Sequence, residues 1–119
     1  MKTIIAGSRG ITDEKVLFKA LKKFGLDITE VVSGGARGAD HLGGEYARQT
    51  EGVKHNLFPA DWKAHGIKAG YMRNIEMGDY ADQLLALWDG ESRGTLHMIN
   101  YMKKLGKPVY LYNTKEQLD

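Results

Sequence analysis

The chain has 119 residues, 17 basic and 15 acidic side chains, and a formal charge of +2. That length matches one domain and is enough to bury a core without covalent staples. The lack of cysteine excludes a disulfide framework, a thiolate metal site and a cysteine nucleophile, no apolar run approaches the roughly 18 residues of a bilayer span, and the near-neutral charge disfavours a surface that tracks duplex phosphates.

Lys2 to Ala6 is a short apolar run that reads as a buried strand. It begins beside the N-terminus with no signal-peptide layout, so a cytoplasmic protein is expected. Gly7-Ser8-Arg9-Gly10-Ile11-Thr12-Asp13 follows as a turn. A helix then carries Val16, Leu17, Ala20, Leu21 and Phe24 at helical spacing, with Thr12 or Asp13 as its cap and Gly25 as its stop. Glu30 to Ser33 is a second strand, and it runs into Gly34-Gly35-Ala36-Arg37-Gly38-Ala39-Asp40. The next helix, of about twelve residues, carries Leu42, Tyr46 and Ala47 and closes at Gly52. Val53 to Phe58 reads as a third strand, ended by Pro59.

From Ala60 to Tyr80, Trp62, His65, Gly66 and Gly70 mark a loop, with a helix starting near Ile67 or Ala69. Gln83 to Trp88 is the clearest buried strand, and Asp89-Gly90-Glu91-Ser92-Arg93-Gly94-Thr95 turns after it. The last helix is expected to bury Leu96, Ile99, Met102 and Leu105 before Gly106 and Pro108. Val109 to Tyr112 is a last strand, and the tail from Asn113 to Asp119 is polar. Trp88, Met72, Met77, Met98 and Met102 are read as core. Strands alternating with helices imply an α/β chain with a mainly parallel five-stranded sheet and helices on both faces. With no linker or repeat, residues 1–119 form one domain.

In such sheets, ligands bind beyond the carboxyl ends of the strands. Nine of the fifteen glycines fall there, after strands one, two and four or in the helix that follows: Gly7, Gly10, Gly34, Gly35, Gly38, Gly43, Gly44, Gly90 and Gly94. Glycine lets a ligand approach the backbone, and open amides at helix starts attract anions, phosphate above all. Of the five arginines, Arg9, Arg37 and Arg93 lie inside those glycine loops, and Arg73 lies in the segment after the third strand. Guanidinium forks suit phosphate or carboxylate. Asp40 serves equally well as a helix N-terminal acid or as a ligand contact. Ser92 and Thr95 read as helix caps rather than nucleophiles, since no Ser-His-Asp partnership is visible. Trp62 and Tyr71 fit either rim packing or stacking on a base. His41, His55, His65 and His97 lack metal-ligand spacing, so no metal is expected. The chain has neither a G-x-x-x-x-G-K-[ST] loop nor a G-x-G-x-x-G turn after the first strand, and no cofactor is expected.

Gly7-Ser8-Arg9, Ser33-Gly34-Gly35-Ala36-Arg37-Gly38-Ala39-Asp40, Arg73-Asn74 and Asp89-Gly90-x-Ser92-x-Gly94-Thr95, in that order along nearly the whole chain, resemble the YspA-like, cpYpsA-related branch of the SLOG superfamily. That superfamily also holds the LOG phosphoribohydrolases and the DNA-processing protein A family. The resemblance implies a Rossmann-like fold that binds nucleotides or nucleotide-derived ligands. The phosphoribohydrolases carry a P-G-G-x-G-T-x-x-E motif whose glutamate helps cleave base from sugar. Here Met98 occupies the glutamate's place, and a thioether can neither take a proton nor stabilise an oxocarbenium ion. Gly94 and Thr95 of the phosphate cradle are retained.

The expected function is binding of a phosphorylated nucleotide or derivative of the AMP or ADP-ribose class, as a sensor or sequestering module. Gly7, Ser8, Ser33, Gly34, Gly35, Ala36, Gly38, Gly90, Ser92, Gly94 and Thr95 would cradle the ligand. Arg9, Arg37 and Arg93 would neutralise charge, Arg73 and Asn74 would close the site, and Asp40 or Asp89 would accept from ribose hydroxyls. One alternative is a hydrolase that cleaves the N-glycosidic bond of a nucleoside monophosphate or ADP-ribose derivative, with Asp89, Glu91 or Asp40 as its acid. Another is single-stranded nucleic-acid binding through Trp62, Tyr71 and the arginines, which the charge disfavours. The expected partners are a small nucleotide-like ligand and further copies of the chain, with no membrane.

Overall fold

The computed structural model describes residues 1–115. Strand β1 (Lys2–Gly7) leads to helix α1 (Glu14–Phe24), then β2 (Glu30–Ser33) and α2 (Ala39–Gln49). β3 (Lys54–Leu57) leads to a one-turn helix α3 (Trp62–His65), a 3₁₀ turn (Gly66–Lys68) and α4 (Ala69–Tyr80). β4 (Gln83–Trp88), α5 (Arg93–Lys104) and β5 (Val109–Asn113) complete the chain. All neighbouring strands pair in parallel, in the order β3-β2-β1-β4-β5. This is a Rossmann-like α/β sheet.

Because both faces of β1 and β4 are covered, their sequences are continuous apolar runs rather than alternating ones. Successive side chains then feed opposite cores. Ile5, Val31, Leu85 and Leu87 pack with Leu17 and Ala20 of α1 and Leu42 and Ala47 of α2. Ile4, Ala6, Val32, Leu84 and Ala86 pack with Met77 of α4 and with Met98, Ile99 and Met102 of α5. Each fully buried Ile or Leu stabilises the fold by about 1.5–3 kcal/mol.

Local signals explain the helix ends. Asp13 accepts from the Lys15 amide at 2.9 Å, and Gly25 ends α1 in the left-handed conformation at φ 58°. Lys107 donates to the carbonyls of Gly78, Asp79 and Ala81 at 2.7, 3.2 and 2.8 Å, placing a cation at the negative end of α4.

Several expected details differ. α5 buries Thr95, Met98, Ile99 and Met102, while Leu96 and Leu105 are exposed. The helix is rotated because Met98 and Tyr101 face Gly78, where an added Cβ would lie 2.6 Å from the Tyr101 ring. Met72 is exposed on α4. Trp88 is only partly buried, and its indole donates to the Ser92 carbonyl at 3.0 Å. α2 ends at Gln49, ahead of Gly52. β3 is shorter than expected, and Trp62–His65 is helical because Asp61 accepts from the Ala64 amide. Of the polar tail, Asn113 closes β5, and residues 116–119 lie outside the described residues.

The chain leaves β1 toward β2 on one side, and β4 pairs on the other, so the strand order reverses between β1 and β4. The chain leaving β1 runs to a helix on one face of the sheet and the chain leaving β4 to a helix on the other, which opens a crevice beyond their carboxyl ends. The backbone at this point is crowded. An added Cβ at Gly7 would overlap the Leu87 carbonyl oxygen and come within 2.8 Å of the Ala39 Cβ, whereas one at Gly10 would meet nothing of the described residues within 4 Å. Gly7→Ala is therefore expected to destabilise by about 3 kcal/mol or more, and Gly10→Ala by less than about 0.5 kcal/mol, in urea denaturation.

Candidate functional site

The crevice between β1 and β4 is a cleft of about 490 Å³. Ala6 to Gly10 line it from the end of β1, and Ala36 and Asp40 from the approach to α2. Asp89, Ser92, Gly94, Thr95 and Met98 line it from β4 and α5, and Arg73, Asn74 and Met77 from α4. Trp62, Ile67, Gly70 and Tyr71 form its outer rim.

Ser8 ties three of these segments together. Its amide donates to Leu87 O at 3.0 Å, its carbonyl accepts from Ile11 at 3.2 Å and Ala39 at 3.3 Å, and its Oγ accepts from the Asp89 amide at 3.1 Å. Gly38 makes this approach possible. It has φ 79°, and an added Cβ would sit 2.5 Å from the Ser8 carbonyl oxygen.

The turn before α5 is held by two side chains, Asp89 and Ser92. Asp89 Oδ1 accepts from the amides of Glu91 at 2.8 Å and Ser92 at 3.0 Å, which holds its carboxyl below the usual range. Ser92 caps the helix, accepting from the Thr95 amide at 3.4 Å and from the Thr95 hydroxyl at 3.0 Å. The first turn of α5 contains no acidic residue, and an added Cβ at Gly94 would meet no atom of the described residues within 4 Å. The start of α2 differs. Gly38 provides no side-chain cap, and Asp40 of the first turn accepts from the Ala36 amide at 3.3 Å.

Asp40 is 7% exposed. Burial pushes its pKa up to about 6, against the opposing pull of the Ala36 amide, Arg73, the Gly34 amide and Arg9. Arg73 crosses from α4 to donate from Nη1 to the Gly34 carbonyl at 2.7 Å, and its buried Nε has no hydrogen-bond partner among the described residues. Gly34 leaves room for this guanidinium, since an added Cβ would lie 2.6 Å from Arg73 Cζ. Asn74 Nδ2 donates to Gly94 O at 3.1 Å and lies 3.2 Å from His97 Nδ1. Burial lowers the His97 pKa, which favours the neutral ring that can accept from Asn74.

The structure thus brings Gly7, Ser8, Arg9, Ala36, Asp40, Arg73, Asn74, Asp89, Ser92, Gly94 and Thr95 to one cleft. Ser33, Gly34, Gly35, Arg37, Gly38, Gly90, Glu91 and Arg93 lie outside its lining. Ser33 Oγ pairs with His55 Nε2 at 2.9 Å on the β3 side. Arg37 and Arg93 are exposed, and Glu91 is exposed and paired with Lys115 at 3.0 Å. Met77, Gly70 and Ile67 carried no site signal in the sequence. Ile67 stands out only in retrospect, as an isolated aliphatic residue in a polar segment. Among the described residues, no group of three or more His, Asp or Glu side chains gathers, and no helix is long and apolar enough to cross a membrane.

Residues 1–65 match the family model described as the YspA, cpYpsA-related SLOG family. The Gene 61 protein of Mycobacterium phage D29 is 40% identical over 125 aligned positions, covering 96% of this chain and 98% of that protein. No solved structure matches the chain.

The raised pKa of Asp40 carries a stability consequence. The unfolded carboxyl loses its proton near 3.8, whereas the folded one holds it to about 6. The folded state is therefore favoured by proton uptake below about 4, and a penalty builds as pH rises through that window. Replacing Asp40 by Asn is expected to stabilise the protein at pH 7.5 by on the order of 2–3 kcal/mol, with the difference fading toward pH 4. Paired urea titrations at the two pH values measure it.

Proposed function

The chain belongs to the YspA, cpYpsA-related SLOG family, a membership that implies a nucleotide-related function, and from it we propose that the cleft binds a phosphorylated nucleotide or nucleotide-derived ligand of the AMP or ADP-ribose class. The supporting observation is positional. The cleft lies at the reversal of strand order, with a helix N-terminus and the Arg9 and Arg73 side chains around it.

The phosphate belongs at α5. Gly94 leaves the approach to its backbone open, and the nearby Asp89 carboxylate accepts from the Glu91 and Ser92 amides ahead of the first turn. The positive end of α2 is already answered by the Asp40 carboxylate. Asp40 then accepts from ribose hydroxyls, while Arg9 and Arg73 neutralise the anion. Arg37 and Arg93, outside the cleft, add positive potential that favours encounter. A module of this kind senses or sequesters its ligand.

A second reading rests on Asp40 itself. A buried carboxyl with a pKa of about 6 beside the cleft can hold or release a proton near neutral pH, as cleavage of an N-glycosidic bond requires. Met98, buried in the cleft wall, offers no such group, and Asp89 has one oxygen committed to its turn. Adenine released from AMP by the protein, and lost in Asp40→Asn, supports cleavage. AMP left intact at high protein concentration supports binding alone.

Calorimetric titration with AMP and ADP-ribose tests the main proposal. Arg9 is exposed, so Arg9→Ala is expected to keep the melting temperature while raising Kd about 10- to 100-fold. Gly94→Val is expected to abolish binding with the fold intact by circular dichroism. The absence of heat with every phosphorylated nucleoside contradicts the proposal.

A further inference from the structure

We infer that Trp62 and Tyr71 form a stacking wall that selects a nucleotide carrying its aromatic base over the bare sugar phosphate. This rests on the nucleotide reading above and deepens it. Trp62, Ile67 and Tyr71 are 54%, 90% and 45% exposed, and all three line the same cleft. Apolar side chains scattered singly over a surface need no explanation. These three converge on one rim, and Ile67 gains almost nothing from folding by standing in water.

The rim is held in place rather than loose. Asp61 caps the turn that begins at Trp62, accepting from the Ala64 amide at 3.0 Å. The indole rests against α4 at Gly70, where an added Cβ would already be in contact at 3.4 Å. Tyr71 packs edge-on against His97 with ring centroids 4.6 Å apart. His97 is in turn held by Asn74, whose other hydrogen goes to Gly94 at the proposed phosphate end. One amide therefore fixes the aromatic rim relative to the start of α5.

The occupant that fits is a flat, aromatic, weakly polar group joined to an anionic one. The polar floor of Asp40, Arg9 and Arg73 is continuous with the apolar rim in a single cleft, whose volume suits a mononucleotide. Every nucleobase presents a π-face, so a wall of this kind distinguishes base from no base more sharply than one purine from another.

The test compares AMP, GMP and ribose 5-phosphate by calorimetry on the intact chain, with tryptophan fluorescence alongside. AMP is expected to bind at least tenfold tighter than ribose 5-phosphate, with GMP within a few-fold of AMP, and to quench emission in a way that Trp62→Phe removes. In Trp62→Ala and Tyr71→Ala, the ratio of AMP to ribose 5-phosphate affinity is expected to collapse toward one, and Trp62→Phe is expected to restore most of it. If ribose 5-phosphate binds as tightly as AMP, or both variants weaken the two ligands equally, the wall is refuted while the phosphate reading stands. If neither ligand binds, the nucleotide reading itself fails and takes the wall with it. Should Trp62→Ala change the mass by light scattering and leave the ligand ratio intact, the rim belongs to a contact between copies and the inference is overturned. An oligonucleotide that binds through Trp62 more tightly than AMP overturns it in favour of nucleic acid.

Discussion

The site depends on one backbone crossing. The end of β1 passes so close to the β4 carbonyls and the start of α2 that position 7 has no room for a side chain, and position 38 must both lack a Cβ and adopt a positive φ. Ser8 then bonds to both neighbours, through its backbone to Leu87 and Ala39 and through its hydroxyl to Asp89. These bonds link the segments that carry Arg9, Asp40 and Asp89. The chemistry at the cleft floor is consequently a property of the sheet rather than of flexible loops.

Two features of the cleft forgo stability. A carboxyl buried to the point of holding its proton near pH 6 destabilises the folded state at neutral pH, and an isoleucine almost wholly in water contributes little to the core. Arg73 adds a third, with a buried Nε that finds no partner among the described residues. All three line the same cleft. Departures from good packing and good pairing that gather in one place mark where a chain serves a purpose other than folding.

The central strands were legible because a parallel sheet buried on both faces writes them as unbroken apolar runs, as in Ile4-Ile5-Ala6 and Leu84-Leu85-Ala86-Leu87. Helix ends at Asp13, Gly25 and Ser92 were legible from their capping chemistry. The inward face of α5 was not. Leu96 and Leu105 match the helical period as well as Met98 does, and only the close approach of α4 at Gly78 decides between them. The glycine loops and Arg73-Asn74 pointed to the sheet edge where the cleft lies, although Gly34, Gly35, Gly38 and Gly90 fall outside its lining. Which arginine turns inward could not be read, because the Arg73 to Gly34 bond spans 39 positions and depends on how α4 lies across the sheet. Trp62 and Ile67 gave no clear signal for the same reason, since their role follows from where α3 and the turn after it meet the cleft.

The central claim is that the start of α5 and the end of β1 hold a nucleotide phosphate. Amide NMR spectra of the intact protein, recorded during titration with AMP, address it most directly. The account predicts saturable shifts centred on Gly94, Thr95 and the Gly7 to Gly10 segment. Spectra that stay still at millimolar AMP, or shifts confined to the α1–α2 surface, would contradict it.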